Sequence, residues 1–300
     1  MAKPYHNTDD MPFALALLSA SAQPDGKIND FLPPEILNLI SREIAIGDNG
    51  SNNPSGKDKD DEKLKAPTGI KYDFNMVNCD QDLKLLASKL KKSKRKDYGL
   101  LLYGVSGCGK SYYAQYLAQQ LKLPIIKKRA SDIISKYVGD TEKCLRSAFA
   151  EALEKKAILL FDEADSFLFD RKYAQRDFEC ASTNELLTQM ENHPYPVVLT
   201  TNLKDKIDRA VLRRVLFKIK YDYMTTENVI AGIKTYFGKK FKLPEDKLKD
   251  LENLTAGDFK VAKDKLDILE DGNYTNELIY EYLLKEQSEK DIKKSNHINI

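Results

Sequence analysis

Residues Gly104-Val105-Ser106-Gly107-Cys108-Gly109-Lys110-Ser111 satisfy the spacing G-x-x-x-x-G-K-[ST] in full. The apolar run Gly99-Leu100-Leu101-Leu102-Tyr103 precedes them, as a buried strand should. Ser111 to Leu121 follows, with Tyr112, Tyr116, Leu117 and Leu121 at helical spacing. Strand, glycine-rich turn and helix together constrain the fold to a βα unit whose helix N-terminus faces the turn. Glycines let the backbone wrap closely, and loop N–H groups turned inward form a nest for an anion. The helix N-terminus adds to that attraction, so the loop is read as a cradle for a polyphosphate. Lys110 reaches the outer phosphates and the Ser111 hydroxyl offers a ligand to Mg2+. Cys108 fills a variable place in the loop. A helix N-terminus can depress a thiol pKa, but a small filler is the simpler account.

The alternation continues downstream. Apolar runs at 99–103, 124–126, 157–161, 197–201 and 215–219 are strand candidates, with helical patterns at Thr141 to Lys156 and Thr183 to Glu191 between them. Strands alternating with helices predict an α/β fold of the P-loop NTPase type, a parallel sheet flanked by helices. Ligands of such sheets gather at the carboxyl ends of the strands. After Tyr223 the strand pattern stops, and 226–237, 244–254, 258–269 and 276–284 all read helical. The expected organisation is a small helical N-terminal module (1–47), a flexible linker (48–67), an α/β nucleotide-binding domain (68–223), a helical lid (224–285) and a polar, frayed tail (286–300). The linker is rich in Gly, Asn, Ser, Lys and Asp and nearly lacks apolar residues.

With 300 residues and 42% hydrophobic content, the chain can bury one large core and a smaller one. A net charge of +2 gives no global field toward nucleic acid or anionic membrane. The densest basic stretch, Lys89 to Lys96, reads as the solvated end of a helix before the first strand. The four cysteines are dispersed without a C-x-x-C pair, so neither a disulfide framework nor a zinc site is expected, and a cytoplasmic location fits. Met11 to Ala20 is apolar but follows Asp9 and Asp10 and is too short to cross a bilayer, so no membrane association is expected.

Two strand tips carry chemistry. Ile158-Leu159-Leu160-Phe161-Asp162-Glu163 is an apolar strand ending in two acids. A carboxylate there, facing a phosphate loop, can hold the water shell of Mg2+, a role for Asp162. Glu163 then polarises a water for in-line attack on the γ-phosphate. Val197 to Asn202 ends in an amide, and Asn202 is placed to bond the γ-phosphate or the attacking water, although strands often end in Asn for turn reasons. Arg213 and Arg214 follow a short apolar stretch, and a guanidinium fork matches phosphate oxygens.

In this order the set resembles the ATPase module of the AAA+ family over roughly residues 70–270. Gly104–Ser111 corresponds to Walker A, Phe161-Asp162-Glu163 to Walker B, Asn202 to sensor 1 and Ala210–Arg214 to the arginine-finger segment. The resemblance implies ATP with Mg2+, and a homo-oligomeric ring, most often a hexamer, in which one copy's arginine completes the neighbour's site. It implies an adenine contact near Val77 and a lid contact at Gly257. Ile134 to Glu142 is similar to the substrate-threading branch, where a K-[aromatic]-x-G loop lines the ring's pore. Lys136, Tyr137, Val138 and Gly139 match it. From spacing alone Tyr137 would be core; the flanking Lys136, Gly139 and following helix cap turn the reading toward a loop that grips a polypeptide. One departure stands out: the second finger usual three residues on is replaced by Leu216, with Arg214 adjacent to Arg213 instead. No obvious sensor-2 arginine is visible in the lid, which matches this branch. Two other readings remain open: a nucleotide-switched adaptor, since residues 31–40 resemble the start of an F-box, and a nucleic-acid-loading AAA+ protein, suggested by Lys89 to Lys96 and opposed by the pore loop.

Overall fold

A computed structural model of the chain describes residues 64–135, 137, 139–165, 177–203 and 207–295. The N-terminal module with its F-box-like stretch, most of the linker, Lys136 and Val138 lie outside the described residues.

The expected apolar runs become strands β2 (Gly99–Gly104), β3 (Ile125–Arg129), β4 (Ile158–Asp162), β5 (Val197–Thr201) and β6 (Phe217–Asp222). A two-residue strand β1 (Asn78–Cys79), too short to leave a periodic trace, completes the sheet. The order is β1-β6-β2-β5-β4-β3, all neighbours parallel except the antiparallel pair β1–β6. Every residue of β4 and β5 is buried, which is why both read as apolar runs up to their polar tips, Asp162 and Thr200-Thr201.

Alternate side chains point to opposite faces and build two cores. Leu101, Leu159, Phe161 and Leu199 pack with Leu145 and Phe149 of α4 (Asp140–Glu154) on one face. Leu100, Leu102, Ile158, Leu160 and Val198 pack with Tyr113 and Leu117 of α2 (Lys110–Leu121) on the other. Each fully buried Leu or Phe contributes about 1.5–3 kcal/mol against leaving it in water. Helix α1 (Leu83–Lys92) ends in Lys89, Lys91 and Lys92, where cations offset the helix dipole, so the basic stretch is a helix terminus.

Strand β3 differs from expectation in an instructive way. The apolar signal ends at Ile126, yet the strand continues through Lys127, Lys128 and Arg129. β3 is the sheet's edge, and edges tolerate charge that a central strand cannot.

The lid holds α7 (Thr226–Tyr236), α8 (Glu245–Lys249), α9 (Ala256–Leu269) and α10 (Asn276–Ser295) around Val229, Ile233, Leu254, Phe259, Leu266, Ile279 and Leu283. The tail expected to fray from residue 286 is instead helical to Ser295. Its polar residues are tied down: Glu286 is buried and meets Lys265 at 2.5 Å. The Lys290 ammonium pairs with Asp258 and donates to the Asn253 carbonyl at 3.1 Å.

Candidate active site

The phosphate loop leaves β2 at Gly104, where φ is +127° and an added Cβ would lie 1.9 Å from the Tyr221 carbonyl oxygen. Only glycine fits there. Gly109, at φ 84°, opens α2, and no side chain caps that helix N-terminus. Its first N–H groups therefore lack a side-chain partner, which leaves them for an anion. Lys110 is buried and its ammonium donates to the carbonyls of Gly104 (2.8 Å) and Val105 (2.7 Å) and to Asn202 Oδ1 (2.8 Å). Burial pulls its pKa below the ordinary lysine value. The structure thus brings Lys110 and Asn202 together, two residues 92 positions apart.

Asp162 is the centre of the arrangement. Its Oδ1 accepts from the Ser111 hydroxyl and from the Thr200 hydroxyl at 2.6 Å. Its Oδ2 meets the Lys127 ammonium at 2.5 Å. Burial alone would raise its pKa, but the bonds from Lys127, Ser111 and Thr200 outweigh it and hold the carboxyl below the usual range. The oxygens of Ser111 and Asp162 are the hard, small donors that Mg2+ takes, so the residues present fit such an ion.

Glu163, next in the chain, is exposed and sits at φ 57°, a left-handed conformation. A non-glycine residue held there costs on the order of 1–3 kcal/mol, and its N–H bond to Thr200 Oγ1 (3.0 Å) helps fix it. Asp165 accepts from the Thr201 hydroxyl and from the Asn202 N–H (3.2 Å), and so holds the Asn202 turn. Residues 106–112 of the loop and first helical turn, with Asp162, Glu163 and Thr200 to Asn202, line one cavity of about 170 Å³.

Cys108 is buried beneath the loop, its thiol donating toward the Asp222 carbonyl at 3.5 Å. Burial pushes the thiol up to about 12, against the pull of Lys110, so the activated-thiol possibility gives way to the filler reading. The Gly257 N–H donates to the Gly107 carbonyl at 3.0 Å, and the lid therefore touches the phosphate loop itself. Val77 packs on the sheet core beside Met76, which is buried in the lid core.

Arg213 and Arg214 lie elsewhere. They close helix α6 (Arg209–Arg214) and line a cavity with Gly99 and Val197, the first residues of β2 and β5. The five residue steps of β2 separate that end from Gly104 by about 17 Å. Arg214 pairs with Glu191 at 2.6 Å. Tyr137 is 76% exposed, so it is no core residue, and Gly139 at φ 86° opens α4 beside it.

Sequence reasoning missed Thr200, Asp165 and Lys127. Thr200 was legible in principle: with β4 and β5 parallel, Asp162 falls opposite the residue after Leu199. Lys127 left no such signal, because a charged residue ends an apolar pattern.

Residues 100–223 match the family described as "ATPase family associated with various cellular activities (AAA)". This stretch is an AAA ATPase domain. Among its relatives, "Peroxisomal ATPase PEX1" of Saccharomyces cerevisiae is 34% identical over 157 residues, 51% of this chain and 14% of that protein. "Spastin" of Danio rerio is 32% identical over 167 residues, 53% of this chain and 29% of that protein. The chain thus spans less than a third of the length of either relative, and the similarity is that of the AAA domain. Among the described residues no group of three His, Cys, Asp or Glu side chains converges as a metal cluster, and no helix is long and apolar enough to cross a membrane.

Proposed function

We propose that the protein is an ATP-hydrolysing motor that works as a homo-oligomeric ring, a hexamer by family resemblance, and acts on a polypeptide in the cytoplasm. The observation that carries the catalytic part is the cluster at the strand tips: Asp162 bonded to Ser111 and Thr200 beside the phosphate loop, with Glu163 free at the surface. Loop N–H groups and Lys110 bind the phosphates, Lys110 exchanging its carbonyl partners for phosphate oxygens. Ser111 and Asp162 would hold Mg2+, Asp162 through water. Held there, Mg2+ would supply positive charge against the negative charge of the phosphates. Glu163 takes the proton of the attacking water, and Asn202, held by Asp165, orients that water or the γ-phosphate.

Arg213 and Arg214 line a cavity with the first residues of β2 and β5, a strand length of about 17 Å from Gly104, and this supports a finger acting in trans. A guanidinium at the opposite end of the central strands serves a neighbour's phosphates rather than its own, which calls for a closed ring. The exposed Tyr137 supports the polypeptide substrate, since an aromatic face grips without demanding one side chain.

The test uses two variants. Glu163→Gln should bind ATP as the parent does and lose turnover; brisk hydrolysis would remove the base assignment. Tyr137→Ala should keep ATPase and lose substrate processing; normal processing would remove the pore-loop role.

A further inference from the structure

Both carboxylate oxygens of Asp162 are engaged by the chain's own side chains. Ser111 and Thr200 take Oδ1, and Lys127 takes Oδ2. The two hydroxyls are neutral and suit a site that holds Mg2+. An ammonium 2.5 Å from the same carboxylate does not, because a second cation there is repelled. Lys127 comes from β3, the edge strand, at a point where the apolar pattern has already ended. An edge lysine commonly keeps its charge in solvent and guards the edge against pairing. The next residue, Lys128, pairs with Glu151 of α4. Lys127 instead reaches to the strand tip and ends on the carboxylate, with its side chain still 36% exposed. Four rotatable bonds let that head leave for water without moving the backbone.

We propose that Lys127 is a resident counter-ion of Asp162, which a divalent cation must displace when it arrives with the nucleotide. This rests on the reading that Ser111 and Asp162 form the Mg2+ side of the site. Whenever no cation is bound, Lys127 would spare the buried carboxylate from lacking a counter-charge. As Mg2+ binds, Lys127 swings outward. The exchange makes Mg2+ binding weaker than the donor set alone would give, so the site fills only above a threshold of free Mg2+. Lys110 is parked in the same manner on two loop carbonyls and Asn202, so both lysines of the site hold protein oxygens until the ligand takes their place.

The experiment titrates MgCl2 into the full chain with a fluorescent ADP analogue, reading equilibrium binding rather than turnover, with an EDTA arm. Lys127→Met, which keeps the stem, is compared with Lys127→Arg, which keeps the charge, and with Ser111→Ala. Thermal unfolding of each confirms folding. The expected result is a Mg2+ midpoint lowered about three- to fivefold in Lys127→Met, the size of a partly exposed ion pair. Binding in EDTA should be unchanged, and Lys127→Arg should stay within about twofold of the parent. A midpoint in Lys127→Met equal to or above the parent's overturns the proposal while leaving the metal reading intact, provided Ser111→Ala loses Mg2+ dependence. If parent binding ignores Mg2+ altogether, the metal reading falls and this inference with it. Weaker binding of Lys127→Met in EDTA would make Lys127 a phosphate ligand and also overturn the proposal.

Discussion

Gly104→Ala puts the architecture of the loop to a direct test. The new Cβ would lie 1.9 Å from the Tyr221 carbonyl oxygen, whereas real Cβ contacts stay above 3.0 Å, so one partner must retreat by 3.0 − 1.9 = 1.1 Å. Tyr221 has little room to move: it is 1% exposed and sits opposite Gly104 in the β2–β6 ladder. The strain therefore falls on the end of β2, where the phosphate loop begins. Alanine at a positive φ costs about 1–3 kcal/mol by itself. Weakening the ladder at this point adds about 0.5–1.5 kcal/mol. At roughly 2–4 °C per kcal/mol for a unit of this size, Tm should fall by about 5–15 °C. The displaced loop should also cut turnover by about 100-fold, the usual consequence of an ångström's misplacement. Calorimetry and a steady-state ATPase assay measure the two effects. A Tm within a degree of the parent and an unchanged turnover would refute the claim that Tyr221 pins the loop.

Cys108 should react slowly with alkylating agents in the native protein at pH 7.5. A thiol raised to about 12 carries about three orders of magnitude less thiolate than an ordinary cysteine, and rapid native-state labelling by mass spectrometry would contradict its burial. Lys290→Ala should loosen the lid, because Lys290 holds Asp258, and Asp258 receives the Thr255 N–H at the start of α9 where Gly257 meets the loop. The Lys290 side chain is 28% exposed, so the expected loss is only about 1–2 kcal/mol, read as a lower Tm. It should come with weaker ADP binding, and a change in neither would sever the link between the last helix and the loop.

The sheet was legible where its strands are buried on both faces, since β4 opens with four apolar residues and β5 with three before their polar tips. β1 was invisible because two residues carry no period. β3 was cut short because its outer half is charged, and the same charges hid Lys127. The loop after β2 could be read from glycine spacing, and the acidic tip of β4 at Asp162 and Glu163 from its place after an apolar run. Thr200 and Asp165 act through contacts set by strand register, which needs the pairing of β4 with β5 and not the residues alone. The helix beyond Leu284 looked like tail because its partners, Lys265 for Glu286 and Asp258 for Lys290, lie more than 20 residues back and no local pattern announces them.

The central claim is that hydrolysis at one copy's site is completed by arginines from another. Two variants test it by mixing. Glu163→Gln keeps the arginines and lacks the base; the double variant Arg213→Ala/Arg214→Ala keeps the base and lacks the arginines. Each alone should be inactive. Mixed, they create interfaces with an intact Glu163 on one side and intact arginines on the other, and ATPase should return to a substantial fraction of the parent's. If the mixture stays as inactive as its components while the two variants demonstrably co-assemble, the arginines do not act across an interface.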